Sequence, residues 1–141
     1  MKKILLIGLL GLIVGFAGCK KDDDNYSSSD LVGKWYLAND TGFWYWDGER
    51  EDYNDSYTKE NSWLYWTFSS DGAFKAENLD EDLVWHGTWN LNGNKLVVKP
   101  SGQPSETVNI KSLSSTSVVV YQKGTDEDGP WESTLSFKKI N

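Results

Sequence analysis

Short apolar and aromatic runs separated by turn-forming clusters dominate the chain from Leu31 to Asn141. The runs are rich in Val, Trp, Tyr, Phe and Thr, and Gly, Asn, Asp and Ser stand between them, which is typical of strands and turns. No segment after residue 30 repeats its apolar residues with the period of a helix. The sequence therefore predicts an all-β fold, in which the core is buried between strands.

Eight runs have the length and composition of strands. They are Leu31–Ala38, Ser62–Ser69, Ala73–Asn78, Leu83–Asn90, Lys95–Pro100, Glu106–Leu113, Ser117–Gln122 and Trp131–Lys139. Ser70-Asp71-Gly72 and Asn92-Gly93-Asn94 predict tight hairpins, because Asn and Gly tolerate positive φ. Such connections predict an eight-stranded antiparallel meander, either closed as a small β-barrel or open as a sandwich. The long connection after Gly42 leaves room for a short helix around Asp52–Glu60.

Alternation along the runs predicts which side chains face the core. Trp85 and Trp89 share one face of their strand, while His86 lies on the other. Val108 and Ile110 likewise share one face. The run after Ser62 carries large rings on both faces, so alternation alone does not assign its inner side.

Residues 1–18 have the pattern of a secretory signal peptide. Lys2 and Lys3 precede an apolar stretch of about 14 residues, which is shorter than the roughly 20 that a membrane-spanning helix needs. The segment Phe16-Ala17-Gly18-Cys19 resembles the lipobox of bacterial lipoproteins, with Phe16 where that family has Leu. The resemblance implies lipid attachment at Cys19 and anchoring to the outer membrane, which would explain a single cysteine in an exported chain.

The segment 19–30 is charged and polar, which predicts a flexible acidic tether after the lipidated cysteine. Lys20 and Lys21 followed by three aspartates resemble the surface-export signal of Bacteroidetes lipoproteins. That resemblance implies a protein facing outward from the outer membrane. An anchor facing the periplasm is the alternative.

The remaining segment, residues 31–141, has the length of one domain and can bury a core without disulfides. The chain carries 14 Lys and Arg against 21 Asp and Glu, and it becomes still more acidic once Lys2 and Lys3 are removed. Proteins that bind nucleic acids need a basic surface. The charge therefore excludes nucleic acid as a partner.

Gly33-Lys34-Trp35 at the start of the first predicted strand is similar to the Gly-x-Trp motif of lipocalins. The wider pattern, with 66–74, 87–89 and 134–137, resembles the short lipocalin-like lipoproteins of Bacteroidetes over the whole of 31–141. This resemblance implies a barrel in which Trp35 packs across the closed end and Gly33 is structural. The chain lacks the late arginine that stacks on this tryptophan in the family, and it is shorter than a typical lipocalin. The interior could therefore be hollow or filled with side chains.

Aromatic residues are concentrated between positions 35 and 89. We expect Trp44, Trp46, Trp63, Tyr65, Trp66 and Trp85 to contact a ligand. Trp44 and Trp46 stand in the predicted long connection, flanked by acids, and exposed rings in such loops often mark binding sites. Packing of the same rings over the barrel end is the alternative.

Nothing in the sequence predicts catalysis, a metal site or a cofactor. His86 is the single histidine, there is no Gly-x-Ser-x-Gly motif, and the acidic turns lack EF-hand spacing. We therefore expect a non-enzymatic protein that binds a small apolar or amphipathic molecule. One alternative is a surface module that binds a glycan or a protein through exposed rings. Another is a structural envelope protein whose barrel is filled.

Overall fold

The structure, a computed structural model, describes residues 26–141. Within that range one short helix precedes nine strands. The elements are α1 (Ser28–Leu31), β1 (Gly33–Trp46), β2 (Glu49–Ser56), β3 (Leu64–Phe68), β4 (Ala73–Asn78), β5 (Leu83–Asn92), β6 (Lys95–Pro100), β7 (Glu106–Leu113), β8 (Ser117–Asp126) and β9 (Gly129–Ile140). The signal peptide and Cys19 predicted from the sequence lie outside the described residues. No helix within residues 26–141 is long and apolar enough to cross a membrane.

Eight of the strands close into an antiparallel barrel. The sheet order is β2-β1-β3-β4-β5-β6-β7-β8-β9, and a further pairing between β1 and β9 joins the two sides. When β2 is set aside, each barrel strand pairs with the strands that precede and follow it in the sequence, as is usual for antiparallel strands joined by short connections. The predicted all-β fold and its closed eight-stranded meander are therefore confirmed.

The segment from Gly42 to Ser56 differs from its prediction as a long connection with room for a helix. β1 continues to Trp46, and the chain turns at Asp47 and Gly48, both with positive φ (53° and 84°), and returns as β2. An Asp-Gly pair in that conformation is a strong hairpin signal. The acidic composition of β2 concealed the strand, because Asp, Glu and Asn are poor strand formers.

The long hairpins β1–β2 and β8–β9 extend one side of the barrel beyond the other strands. We call their four strands beyond the closed part the extended sheet, comprising residues 39–46, 49–56, 121–126 and 129–135. β1 shares its second edge between β3, which pairs with residues 33–36, and β2, which pairs with residues 39–46. One face of the extended sheet therefore continues the inner wall of the barrel.

One end of the barrel is covered by the segment before β1, and we call it the covered end. Leu31 is fully buried there, and the backbone N–H of Tyr26 bonds to Gly93 O while its hydroxyl donates to Lys111 O. Residues 26–30 thus contact the barrel, although the sequence placed them in a flexible tether.

Trp35 packs under this cover and is fully buried. Its indole Nε1 donates to Leu31 O at 2.9 Å, and Lys139 Nζ lies 4.9 Å from the centre of its ring system. Lys139 also donates to Asp30 O at 3.0 Å. Lys139 on β9 is therefore the cation beside Trp35 in a chain that has no late arginine.

Rings fill the half of the barrel next to the covered end. Trp66 stacks on Phe137 with ring centres 4.1 Å apart. Phe68 contacts Phe74 and Trp89, each at 5.3 Å. Large buried rings of this kind supply much of the apolar area that a small domain needs. This half is therefore a packed core.

Candidate functional site

The buried polar side chains lie in the other half of the barrel, which we call the far half, and on the adjoining extended sheet. It contains the end at which β3, β5 and β7 begin. Within residues 26–141 the buried polar residues are Asp40, Ser62, Asn78, Glu106 and Ser133. Buried polar groups destabilise a protein unless they form hydrogen bonds, so each of them needs a partner or a function.

Two of these residues are satisfied by their own turns. Ser62 Oγ donates to Leu64 O and accepts from Leu64 N–H. Asn78 Oδ1 accepts from the backbone N–H groups of Asp80 and Glu81, at 3.0 and 3.1 Å. Both side chains therefore shape the connections into β3 and β5, and neither is available for a ligand.

Glu106 is not satisfied in this way. It is the first residue of β7 and lies on the inner face with Val108 and Ile110, with 8% of its surface exposed. Among the residues that the structure describes, its carboxyl group has no hydrogen bond or ion pair, and its oxygens are not among the fully buried unpaired atoms, so they keep some contact with water. Burial raises the pKa of Glu106 from 4.5 to about 8, because reduced hydration disfavours the charged form. A strongly shifted acid in an interior is typical of a functional site.

Two buried indole groups are also unpaired, one just before β3 and one in the middle of that strand. Trp63 and Trp66 are each 7% exposed, and neither Nε1–H has a hydrogen-bond partner. The Trp63 N–H lies beside the Tyr57 hydroxyl without reaching hydrogen-bond geometry, so Trp66 is the clearer case. An unpaired buried N–H costs about 1–3 kcal/mol, which a ligand acceptor atom would recover.

The unpaired acid and the unpaired donors lie on opposite walls. In the closed barrel of eight strands, β7 is four strands from β3 in either direction. Successive strands are antiparallel, so β3 and β7 run the same way and begin at the same end of the barrel. Glu106 starts one of these strands, whereas Trp63 directly precedes the other and Trp66 is its middle residue. The half-buried Trp85 on β5 faces inward from the wall between them.

The extended sheet adds a second aromatic group on the continued inner face. Trp44 packs against Tyr53 with ring centres 4.8 Å apart. The Trp131 ring system crosses Gly124, where a Cβ atom would lie 2.7 Å from it. The absence of a side chain at position 124 therefore leaves room for the Trp131 indole.

A polar cluster separates these rings from the barrel interior. Ser133 Oγ donates to Asp40 Oδ1 at 3.3 Å, and the Tyr53 hydroxyl shares hydrogen bonds with both residues. Burial is the main cause that raises the pKa of Tyr53 well above its usual range. The hydroxyl therefore stays protonated and acts as a fixed donor at neutral pH.

The structure places the predicted contact residues in different positions. Trp63 and Trp85 line the far half, Trp66 lies in the middle of β3 where the packed ring cluster meets that half, and Trp44 lies on the inner face of the extended sheet. Trp46 is at the hairpin tip with 65% of its surface exposed. Tyr65 faces outward, donates to Lys59 O at 2.6 Å and lies under Lys34, so it does not line the interior.

Sequence reasoning missed Glu106, Trp131 and Tyr53. Extending the alternation of Val108 and Ile110 by two residues places Glu106 on the inner face, and two such steps back from Leu135 reach Trp131. No comparable signal marks Tyr53, because β2 itself was concealed by its acidic residues. No group of three His, Cys, Asp or Glu side chains within residues 26–141 is arranged to hold a metal ion.

The arrangement has the composition of a binding site for a small molecule. Apolar rings surround a small number of polar groups, which is typical of sites for small molecules. No curated protein sequence matches the chain significantly. The family model for the lipocalin-like domain matches residues 31–120, which is more than half of the chain. Together with the closed antiparallel barrel, this match shows that the chain belongs to the lipocalin-like domain family.

Proposed function

We propose that this protein binds a small amphipathic molecule in the far half of its barrel, and that it does so without catalysis. The observation that carries the proposal is the Trp66 N–H, which is buried and unpaired within an otherwise aromatic wall. A ligand oxygen that accepts this hydrogen bond would recover its cost, and the apolar part of the ligand would pack against the rings. The lipocalin-like fold supports a ligand-binding role.

The test uses n-octanol, which has one oxygen and an apolar tail. The full-length protein with Cys19→Ser, which excludes lipid attachment, is titrated with n-octanol while its tryptophan fluorescence is recorded. We expect saturable binding, weakened about five- to tenfold by Trp66→Phe, which removes the N–H but keeps a ring on Phe137. Trp46→Phe is the matched control at the exposed tip and should bind like the parent protein.

Two results would count against this proposal. One is the absence of saturable binding by the parent protein, which would favour a filled barrel. The other is equal affinity in the parent and Trp66→Phe, with near-ultraviolet circular dichroism confirming that both are folded. The second result would place the ligand elsewhere, most directly on the extended sheet.

A second candidate function rests on the exposed Trp46. Its ring stands at the tip of the extended sheet, 65% exposed, with acidic Asp47 and Glu49 beside it. We propose that this tip contacts a glycan or a protein if the far half is empty, because aromatic rings stack on sugars and anchor interfaces. Trp46→Ala should abolish retention on a glycan array while leaving octanol binding unchanged. Retention equal to that of the parent protein would refute it.

We also propose that a lipid on Cys19 anchors the protein to the outer membrane, facing outward. The lipobox-like segment 16–19 and the acids after Lys21 support this proposal. Because Tyr26 contacts the covered end, an anchor at Cys19 would leave the far half pointing away from the membrane. Cys19→Ser should move the protein from the membrane fraction to the soluble fraction. Digestion of whole cells with a protease would distinguish outward from periplasmic display.

A further inference from the structure

We infer that Glu106 is the polar anchor of the proposed ligand site and that it selects molecules carrying a protonated amine. This inference rests on the proposed function and adds the chemical class of the ligand. The charges inside the barrel, the rings opposite Glu106 and the proton balance of binding support it.

The interior of the barrel contains an acid without a cation. None of the Lys and Arg residues in the described range is buried. Lys99, the base on the neighbouring strand β6, points outward and donates to Gln103 O. A buried carboxylate needs a cationic or hydrogen-bonded partner, so a bound cation would stabilise the charged form of Glu106.

No other titratable group occupies the walls beside Glu106. The inward positions of β6 and β8 next to it hold Val98, Gln122 and Gly124, and the connection 101–105 is uncharged. Asp80, Glu81 and Asp82 in the connection from β4 to β5, and Asp40 and Tyr53 of the extended sheet, lie toward the same end, and none of them contributes to the shifted pKa of Glu106. The basic side chain at this end, Lys59 in the connection into β3, is exposed.

The opposite wall suits the rest of a cationic amphipathic molecule. The faces of indole rings attract cations, and their apolar surface accommodates hydrocarbon. Trp63, Trp66 and Trp85 present three such rings to the interior. An ammonium group beside Glu106 would therefore have a carboxylate on one side and indole rings on the other.

Binding of an ammonium group would release a proton. The pKa of about 8 means that free Glu106 is mostly neutral at pH 7, whereas a bound ammonium ion requires the carboxylate. The carboxyl proton passes to the buffer, and the amine keeps its own. Affinity for an amine should therefore rise with pH up to about 8 and then level off until the amine itself loses its proton. A carboxylic acid ligand would show the opposite trend.

The experiment compares n-octylamine with n-octanol, which differ at one end only. Both are titrated into the full-length protein with Cys19→Ser between pH 6 and 9, at 0.15 M salt to screen the acidic surface. At pH 8.5 we expect octylamine to bind at least tenfold more tightly than octanol. Below pH 7.5 its affinity should fall by about tenfold per pH unit, and calorimetry in two buffers should detect about one released proton per amine.

Glu106→Gln should remove both the amine preference and the pH dependence, so that octylamine and octanol bind this variant with equal affinity at every pH. Glu127→Gln removes the same charge from an exposed turn and is the matched control. Equal binding of the two probes at every pH, or an amine preference that survives in Glu106→Gln, would overturn the inference alone. Failure of both probes to bind would overturn the proposed function as well. If Glu106→Gln does not fold, the pH profile of the parent protein decides the question.

Discussion

Glu106 should make the stability of the protein fall as the pH rises, even without a ligand. In an unfolded chain a glutamate ionises near pH 4.5, whereas burial keeps the proton on Glu106 until about pH 8. Between these values the folded state binds more protons than the unfolded state, so each increase in pH favours unfolding. Below about pH 4.5 the carboxyl group is neutral in both states and its full contribution is present. Above about pH 8 it is charged in both states and the loss is complete.

The size of this effect follows from the two pKa values. Their difference corresponds to at most about 5 kcal/mol, since one pKa unit is worth about 1.4 kcal/mol. We expect about 2–3 kcal/mol, because water and side chains rearrange around a buried charge. Glu106→Gln keeps the shape and the polarity but cannot ionise. It should match the parent protein at pH 5 and exceed its free energy of unfolding by about 2–3 kcal/mol at pH 8.5.

Urea unfolding followed by tryptophan fluorescence at pH 5, 6.5 and 8.5 measures this difference. Other acids titrate over the same range, so the quantity of interest is the gap between variant and parent at each pH rather than either curve alone. Glu127→Gln, which changes an exposed acid, should show no gap beyond about 0.5 kcal/mol. Parallel curves for the parent and Glu106→Gln would refute the reasoning, because they would mean that Glu106 reaches water or an unrecognised partner.

Three further predictions concern the frame of the barrel. Lys139→Met should lower the free energy of unfolding by about 1–2 kcal/mol, because it removes the contact with Trp35 and the hydrogen bond to Asp30 O. Lys138→Met, at an exposed position, is the control and should leave the free energy of unfolding unchanged. Equal effects of the two substitutions would contradict this prediction. Gly42→Ala should lower the free energy of unfolding by about 2–4 kcal/mol in the same urea assay, because the new Cβ would collide with the Glu132 backbone carbonyl. At Gly102 a Cβ would have no neighbour within 4 Å, so Gly102→Ala should lower it by about 1 kcal/mol through the positive φ alone. Trp66→Ala should lower stability by about 3–5 kcal/mol, since it removes the ring stacked on Phe137, and a loss below 1 kcal/mol in thermal or urea unfolding would show that this stack contributes little.

Most of the barrel could be predicted because its strands follow local rules. Alternation on β5 assigned Trp85 and Trp89 to the interior and His86 to the outside, as the structure shows. The turns at Asp71-Gly72 and Asn92-Gly93 have the glycines at positive φ that their sequences suggest. In these elements each local preference agrees with the global fold, which is typical of sequences that specify one structure.

β2 and the polar far half could not be predicted in the same way. β2 is held by pairing with β1, a tertiary contact that overrides its poor strand propensity. The tertiary structure also determines that Glu106 lacks a partner, since the side chains around it come from strands that are distant in the sequence. Alternation can predict that Glu106 points inward, but not that its neighbours are Val98 and Gly124 rather than a lysine. The candidate site therefore became visible only in the folded chain.

The outer edge of β2 affects the tendency of copies of this protein to associate with one another. Within the described residues β2 pairs with β1 alone. The backbone groups on its other edge could therefore pair with a strand of another molecule. Glu49, Glu51, Asp52 and Asp55 line this strand, with Arg50 as its one base. Two such edges repel each other at neutral pH, which opposes self-association by strand addition. The acidic composition that concealed β2 in the sequence thus protects the protein against aggregation through this edge.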